Sequence, residues 1–185
     1  LGLDAFCAEN GHAKFSWVHL DGRRDEVISI LPRVADIPPA AMNALMAAET
    51  RPRCTLFGDG ALINMRGPGE SISGDGDPLV SIRLWAQQGK VVSLSYRTLA
   101  PLDTVIDQML SGKLADPGDL IAAIAMEITE VLDPEIAELG DILDNIESHL
   151  DEQGSVSTRR RVSEIRAAAI SYRRFIAPQR AAVER

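Results

Sequence analysis

The sequence predicts an α/β (α+β) protein in which a small mixed, partly antiparallel sheet flanked by helices is followed by a long helical hairpin. Short β-rich runs around tight turns lie in the first 115 residues and predict the sheet. In the remainder, apolar residues recur at alternating steps of three and four, which predicts two long helices. We therefore divide the chain into a body, residues 1–115, and a hairpin, residues 116–185.

Five β-rich runs in the body predict strands at residues 15–20, 54–57, 61–65, 79–86 and 91–96. The second and third runs flank the tight turn 58–60, and the last two flank 87–90. Along the fourth run, apolar side chains on one face alternate with Ser81, Arg83 and Trp85 on the other. Because the strands of a hairpin are antiparallel, the sheet must be at least partly antiparallel.

Proline and glycine mark the ends of the predicted helices of the body. A short helix over residues 25–31 is expected to stop at Pro32, because proline lacks an amide hydrogen and clashes inside a helix. Pro38-Pro39 and Pro101 instead open two further helices, since proline is tolerated in a first turn. Gly112 is expected to end the last of them.

The hairpin carries one narrow apolar seam on each arm, with a break at residues 151–155. The seam residues are Ile136, Leu139, Leu143, Ile146 and Leu150 on the first arm and Val162, Ile165, Ala169, Tyr172, Ile176 and Val183 on the second. Asp116 and Pro117 suit an N-cap and a first helical position, so the first arm begins there. At Pro134 that arm either kinks or ends, with Asp133 capping a further helix, and we favour the kink.

The two arms carry opposite charge. Residues 114–158 contain 12 Asp and Glu and no Lys or Arg, whereas residues 159–185 contain 8 Arg and 2 Glu. Antiparallel packing would let the arginines neutralise part of the acid, although exposed ion pairs contribute only roughly 0–1 kcal/mol each. Carboxylates that stay unpaired would attract cations.

The acidic arm also contains the candidate metal site. His149 lies in an acidic run, where it shares one helical face with Asn145 at a spacing of four residues, and Asp144, Glu147 and Asp151 lie nearby. Imidazole and carboxylate groups together suit borderline divalent metals. We expect weak Zn²⁺ binding through His149 first, with the carboxylates as partners, and the alternative is a solvated acidic face.

Composition and motifs argue against several other classes. A formal net charge of −8 and an aromatic content of 4% are atypical of general nucleic-acid binders, so we expect no nucleic-acid partner. No apolar run reaches the ~18 residues that cross a bilayer, and we expect a soluble chain. We find no nucleophile elbow, phosphate loop or zincin motif, and therefore expect neither a catalytic centre nor a bound cofactor. Cys7 and Cys54 lie far apart, which favours reduced thiols.

Five short strings, taken in order, resemble one family. Their order and spacing over about residues 15–185 resemble the cytoplasmic domain of ZntB-type zinc transporters in the CorA superfamily of divalent-cation channels and transporters. After Arg66-Gly67 the sequence departs from that family's pattern, and the two transmembrane helices with their Gly-Met-Asn motif are missing. The strings are Trp17-Val18-His19-Leu20-Asp21, Glu49-Thr50-Arg51-Pro52-Arg53, Met65-Arg66-Gly67, Val80-Ser81-Ile82-Arg83-Leu84-Trp85 and Arg173-Arg174-Phe175-Ile176-Ala177-Pro178-Gln179-Arg180.

The resemblance implies the soluble part of a transporter that moves Zn²⁺ across the bacterial inner membrane without ATP hydrolysis, with Zn²⁺ as a transported or regulatory ion. It also implies a homopentameric funnel on the cytoplasmic face of that membrane, in which the last helix is a stalk running towards the pore. The arginines of that helix agree with a cytoplasmic flank under the positive-inside rule. Two alternatives stay open: a Mg²⁺ or Co²⁺ channel domain of the same superfamily, and a soluble regulator whose hairpin docks a partner protein.

The arginines in these strings have two interpretations. Arg51, Arg53 and Arg83 could form an anion site, or they could pair with carboxylates and helix ends inside the body. We favour the second interpretation and assign them no chemistry.

Overall fold

The computed structural model describes residues 4–7, 15–47, 50–69, 79–148 and 156–184. Its strands are β1 (Asp4–Cys7), β2 (Ser16–Asp21), β3 (Arg53–Phe57), β4 (Gly60–Pro68), β5 (Leu79–Gln87) and β6 (Lys90–Ser95). They form one sheet in the order β1-β2-β6-β5-β4-β3. Only the β2–β6 pair is parallel among these, so the predicted mixed, partly antiparallel sheet is confirmed. All five predicted strands are present, and β1 is a strand that the sequence did not predict.

Five helices complete the described part of the fold: α1 (Val27–Val34), α2 (Pro39–Leu45), α3 (Leu102–Leu110), α4 (Pro117–Ser148) and α5 (Val156–Val183). The backbone amide of Asp119 donates to Asp116 Oδ1 at 3.0 Å, which confirms the predicted cap of α4. Gly112 has a φ of 72° just after α3, a left-handed conformation that glycine adopts without strain.

Three helices contain an internal proline, and the first of them corrects a prediction. α1 continues through Pro32 to Val34, so it does not end at its proline. α4 continues through Pro134 as one helix, which agrees with the favoured alternative that the helix does not end there. α5 likewise contains Pro178. The carbonyl that loses its donor lies four residues earlier, at Ile28, Glu130 and Arg174 respectively, and all three of these residues are exposed. Solvent can therefore satisfy each carbonyl, which reduces the cost of continuing the helix.

The sheet is covered on both faces. Val80, Ile82 and Leu84 of β5 pack in a cluster with buried residues of α3 and α4. Trp85, which points to the opposite face, packs with residues of α1 and α2. The predicted alternation along β5 is correct, but both faces are buried because helices cover each of them.

The first half of α4 packs directly on β4. Its buried residues are Leu120, Ala123, Ile124, Ile128 and Leu132. A Cβ atom on Gly67 of β4 would lie 2.7 Å from Cγ1 of Ile128, so this close approach requires glycine. The predicted seam of the first arm is therefore only partly correct. Ile136 is 41% exposed, and no described residue of α4 after Leu132 is buried.

The second half of α5 also packs on the body. Its buried residues are Phe175, Gln179 and Ala182, whereas Ile165 is buried in the first half, and the helix contacts β3, β4 and α4. Val162 and Ala169 of the predicted seam are exposed. The prediction assumed that α5 packs only against α4. In the structure, the face of α5 that carries Phe175 packs on the sheet.

The α4–β4 contact generates the first testable prediction. We expect Gly67→Ala to lower the free energy of unfolding by about 1–3 kcal/mol, because the new methyl group overpacks a contact with the buried Ile128. The matched control is Gly140→Ala in α4, where a Cβ meets nothing within 4 Å. That control should raise stability by up to about 1 kcal/mol through helix propensity. Urea denaturation of the three proteins measures both changes, and a Gly67→Ala protein as stable as the wild type would contradict the packing.

Candidate functional site: the helical hairpin and its attachment to the sheet

The attachment of α5 begins at an open edge of β4. Among the described residues, β3 pairs with β4 only as far as Arg53 opposite Asn64. The backbone amide of Arg66, two residues further along β4, donates instead to Oε1 of Gln179 at 2.8 Å. Since a buried amide without an acceptor costs free energy, the Gln179 side chain replaces the missing strand at this position.

The side chain of Arg66 reinforces the same attachment. Its guanidinium carbon lies 4.0 Å from the centre of the Phe175 ring, within cation–π range. Its Nη2 atom donates to the carbonyl of Leu79 at 2.7 Å. Arg66 therefore joins β4, β5 and α5 at one point. Arg66, Phe175 and Gln179 belong to two of the strings that carry the family resemblance, but no pattern was found that joins them. The signal that could have revealed the contact is a polar residue, Gln179, at the helical phase of Phe175 and Ala182.

The arginine of β5 serves a structural role. Arg83 is 2% exposed, donates through Nη2 to the carbonyl of Ala47 at 2.7 Å, and lies 4.8 Å from the Tyr96 ring centre. Ala47 follows the C-terminal end of α2. Burial lowers the pKa of Arg83, and the nearby charge of Arg66 lowers it further. This contact agrees with the expectation that Arg83 binds near a helix end inside the body, whereas Arg51 and Arg53 are exposed.

The structure places only half of the predicted metal ligands. Asp144 and Glu147 lie exposed on the last turns of α4. His149 and Asp151 lie outside the described residues, so the proposed set stays a prediction. In the part of the chain that the structure describes, no three His, Cys, Asp or Glu side chains come close enough together to hold a metal ion.

The two charged arms do not neutralise each other in the described part of the hairpin. Its ion pairs are Arg160 with Glu164 at 2.9 Å and Arg180 with Glu184 at 2.8 Å, both within α5 and both largely exposed. None of the ion pairs between described residues joins α4 to α5. The carboxylates of α4 therefore remain available to attract cations, which is the second role expected from the sequence.

Among the described residues, a polar contact between Tyr172 and Glu135 links the two arms. The Tyr172 hydroxyl donates to Oε2 of Glu135 at 2.8 Å. Burial of the ring, followed by the hydrogen bond to Glu135, raises the pKa of Tyr172 to about 12. The neutral, donating form of the tyrosine is thus favoured in the folded hairpin.

A largely apolar groove of about 420 Å³ lies between the first half of α4 and the last turns of α5. Its α4 wall includes Met126, which is 64% exposed. We call this surface the α4/α5 groove. It is lined by Ala122, Ala125, Met126, Thr129, Glu130, Ile176, Gln179, Arg180, Val183 and Glu184.

Comparison with known proteins decides the family. The family model described as "CorA-like Mg²⁺ transporter protein" matches residues 12–185. The chain belongs to this family. Membership confirms the resemblance drawn from the five strings. The family is one of transporters and not of enzymes.

The relatives of this CorA-like chain include zinc transport proteins. The zinc transport protein ZntB of Klebsiella pneumoniae subsp. pneumoniae is 31% identical over 165 residues, which cover 89% of this chain and 50% of the relative. The ZntB protein of Pectobacterium carotovorum is 28% identical over the same share of each chain. The chain thus spans about half the length of the curated relatives it matches.

A solved structure shares the fold of this chain over most of its length. The full-length CmaX protein superimposes with a TM-score of 0.78 at 25% identity, covering 90% of this chain and 52% of that protein. Among the described residues, no helix combines the length and the apolar character needed to cross a membrane.

The Tyr172 contact generates the second prediction. We expect Tyr172→Phe to lower the free energy of unfolding by about 0.5–1 kcal/mol at pH 7, the contribution of one partly exposed hydrogen bond. The pKa of Tyr172 is raised from 10.0, so this contribution is complete below pH 10 and is lost as the pH rises towards 12.

Urea denaturation of the wild type and the Tyr172→Phe variant at several pH values between 7 and about 11 measures this difference. Glu135→Gln is the matched control, because its amide oxygen still accepts the hydrogen bond and the loss should be smaller. A difference between wild type and Tyr172→Phe that stays constant with pH would show that the hydroxyl does not titrate as argued.

Proposed function

We propose that the protein is the cytoplasmic part of a homo-oligomeric transporter that moves Zn²⁺ across the bacterial inner membrane, pentameric in its full-length form. The observation that carries the proposal is the similarity to zinc transport proteins over 89% of this chain. The acidic arm supports it, because exposed carboxylates without ion pairs to α5 concentrate cations near the protein. The domain binds and presents ions, and transport belongs to the full-length protein.

A second candidate cargo is Mg²⁺, with Co²⁺ beside it. It is favoured by the description of the matching family, which names a Mg²⁺ transporter. Carboxylate oxygens suit Mg²⁺, whereas an imidazole ligand favours Zn²⁺. The two candidates therefore differ in whether His149 takes part.

The transport proposal is tested on the full-length protein in proteoliposomes. A fluorescent Zn²⁺ indicator inside the vesicles should report uptake that needs the protein and no ATP. Excess Mg²⁺ or Co²⁺ outside should leave most of this uptake intact. Uptake of Mg²⁺ with none of Zn²⁺ would establish the second candidate, and failure with every divalent ion would overturn both.

The metal site proposed on the acidic arm has His149 as its first ligand and Asp144, Glu147 or Asp151 as partners. Asp144 and Glu147 are exposed on neighbouring turns of α4, which leaves them free to approach an ion. Because Zn²⁺ competes with a proton for imidazole, binding should be tighter above the usual pKa of histidine, near 6.5, than below it.

Calorimetric titration of the 185-residue chain with Zn²⁺ tests this site. We expect His149→Ala to weaken binding by at least about 10-fold, as loss of a directly bound ligand should cost no less than loss of a supporting group. His12→Ala, which removes another imidazole outside the acidic arm, is the matched control and should bind like the wild type. Identical isotherms for His149→Ala and the wild type would eliminate His149 as a ligand.

A further inference from the structure

A small cavity in the body is lined by arginines from three separate segments of the chain. Its volume is about 180 Å³, and we call it the arginine cavity. Arg66 belongs to β4, Arg83 belongs to β5, and Arg97 follows the end of β6. None of the lining residues that the structure describes is Asp or Glu. The other lining residues are Leu79, Val80, Ser81 and Tyr96.

The register of the sheet brings the three arginines together. Arg66 lies opposite Ser81 in the β4–β5 pair. Ser81 and Arg83 are two residues apart on β5, so they point to the same face of the sheet. β6 pairs with this part of β5 and ends at Ser95, two residues before Arg97. The fold thus concentrates positive charge at one point of a chain whose formal net charge is −8.

Two of the guanidinium groups are held in place by uncharged groups. Arg66 lies 4.0 Å from the centre of the Phe175 ring and donates to the carbonyl of Leu79. Arg83 is 2% exposed and donates to the carbonyl of Ala47. Because their positions are already fixed, these groups would lose little conformational entropy when they bind a ligand.

Both of these arginines also carry a further buried donor. The Nε atoms of Arg66 and Arg83 are buried, and neither has a hydrogen-bond acceptor among the described residues. A buried donor without an acceptor costs free energy. Burial, and to a smaller extent the charge of Arg66, lowers the pKa of Arg83. An anion in the cavity would supply an acceptor and would offset the repulsion between the two positive charges.

We propose that the arginine cavity binds a small phosphate-type oxyanion, either inorganic phosphate or the phosphate group of a small soluble molecule. A planar guanidinium can pair with two oxygens of such an anion through parallel hydrogen bonds. The hydroxyl of Ser81 adds a neutral donor to the lining. The volume of about 180 Å³ is below the roughly 300–1,000 Å³ of pockets for drug-sized ligands, which favours a small anion.

This site differs from the anion site considered from the sequence. It keeps Arg83 but replaces Arg51 and Arg53, which are exposed and do not line the cavity, with Arg66 and Arg97. The contact between Arg83 and the end of α2 remains, so the anion adds a second role to a structural residue. The site lies in the body, apart from the acidic arm, and does not depend on which metal ion is transported.

Calorimetric titration of the 185-residue chain with inorganic phosphate, at constant ionic strength, tests the site. Arg97→Gln is the informative variant, because Arg97 is exposed and its replacement should leave the fold intact, which circular dichroism verifies. We expect it to weaken phosphate binding at least about 10-fold, the effect of losing one charge-assisted hydrogen bond. The matched control is Arg53→Gln, which neutralises an exposed arginine of the same sheet outside the cavity and should bind like the wild type.

A second measurement examines the buried arginines without replacing them. Two-dimensional ¹H–¹⁵N NMR of the wild type detects the Nε–H signals of arginine side chains. Added phosphate should shift the signals of Arg66 and Arg83, and the shifts should saturate with the dissociation constant found by calorimetry. The signal of Arg53 should stay in place. Chloride at the same ionic strength should bind at least 10-fold more weakly than phosphate, because it is monovalent and cannot accept paired hydrogen bonds from one guanidinium in the same way.

Three results would overturn the site. The first is a wild type that shows neither heat nor shifted Nε–H signals with phosphate. The second is an Arg97→Gln protein that binds phosphate as tightly as the wild type. The third is an Arg53→Gln protein weakened as much as Arg97→Gln, because binding would then follow general positive charge and not the cavity. None of these measurements involves zinc or transport, so they leave the proposed function to its own test.

Discussion

The hairpin depends on one short stretch of β4, where no described strand continues the pairing beyond Asn64. At Arg66 the backbone amide is satisfied by the Gln179 side chain of α5, and one residue later Gly67 leaves room for Ile128 of α4. Both long helices are thus fixed to the same two residues of one strand. Because a side chain at Gly67 would displace α4, and loss of Gln179 would leave a backbone donor without this acceptor, the orientation of both arms follows from these contacts.

These contacts divide the hairpin into two parts with different physical roles. The half near the sheet contributes its buried side chains to the core, so its residues are constrained by packing. In the other half, α4 has no buried described residue after Leu132, and it contacts α5 through the hydrogen bond from Tyr172 to Glu135. Charged side chains there stay in contact with solvent, so they carry little desolvation free energy. This part of α4 can therefore hold an excess of carboxylates that a core could not accommodate.

Sequence periodicity predicted the elements well and their buried faces less well. The five strands and the start of α4 at Asp116-Pro117 follow from local chemistry, which the sequence contains directly. The burial of Phe175 and Gln179 depends on where β3 stops, a long-range fact that no local pattern encodes. The predicted end of α1 at Pro32 was wrong for a similar reason. Whether the helix can continue depends on the solvent exposure of Ile28, which the local sequence does not determine. The metal site shows the same limit: Asp144 and Glu147 are exposed three residues apart on α4, and no local pattern determines what they bind.

The proposed zinc site lies in the half of α4 where charge is left without ion pairs to α5. Asp141 and Asp144 are exposed and lie about one helical turn apart. No ion pair between described residues joins either of them to α5. Because neighbouring carboxylates repel each other, a cation bound between them would relieve that repulsion in the folded chain. Zn²⁺ that binds there would then raise the free energy of unfolding by an amount that grows with its concentration, since the ion binds the folded state in preference to the unfolded one.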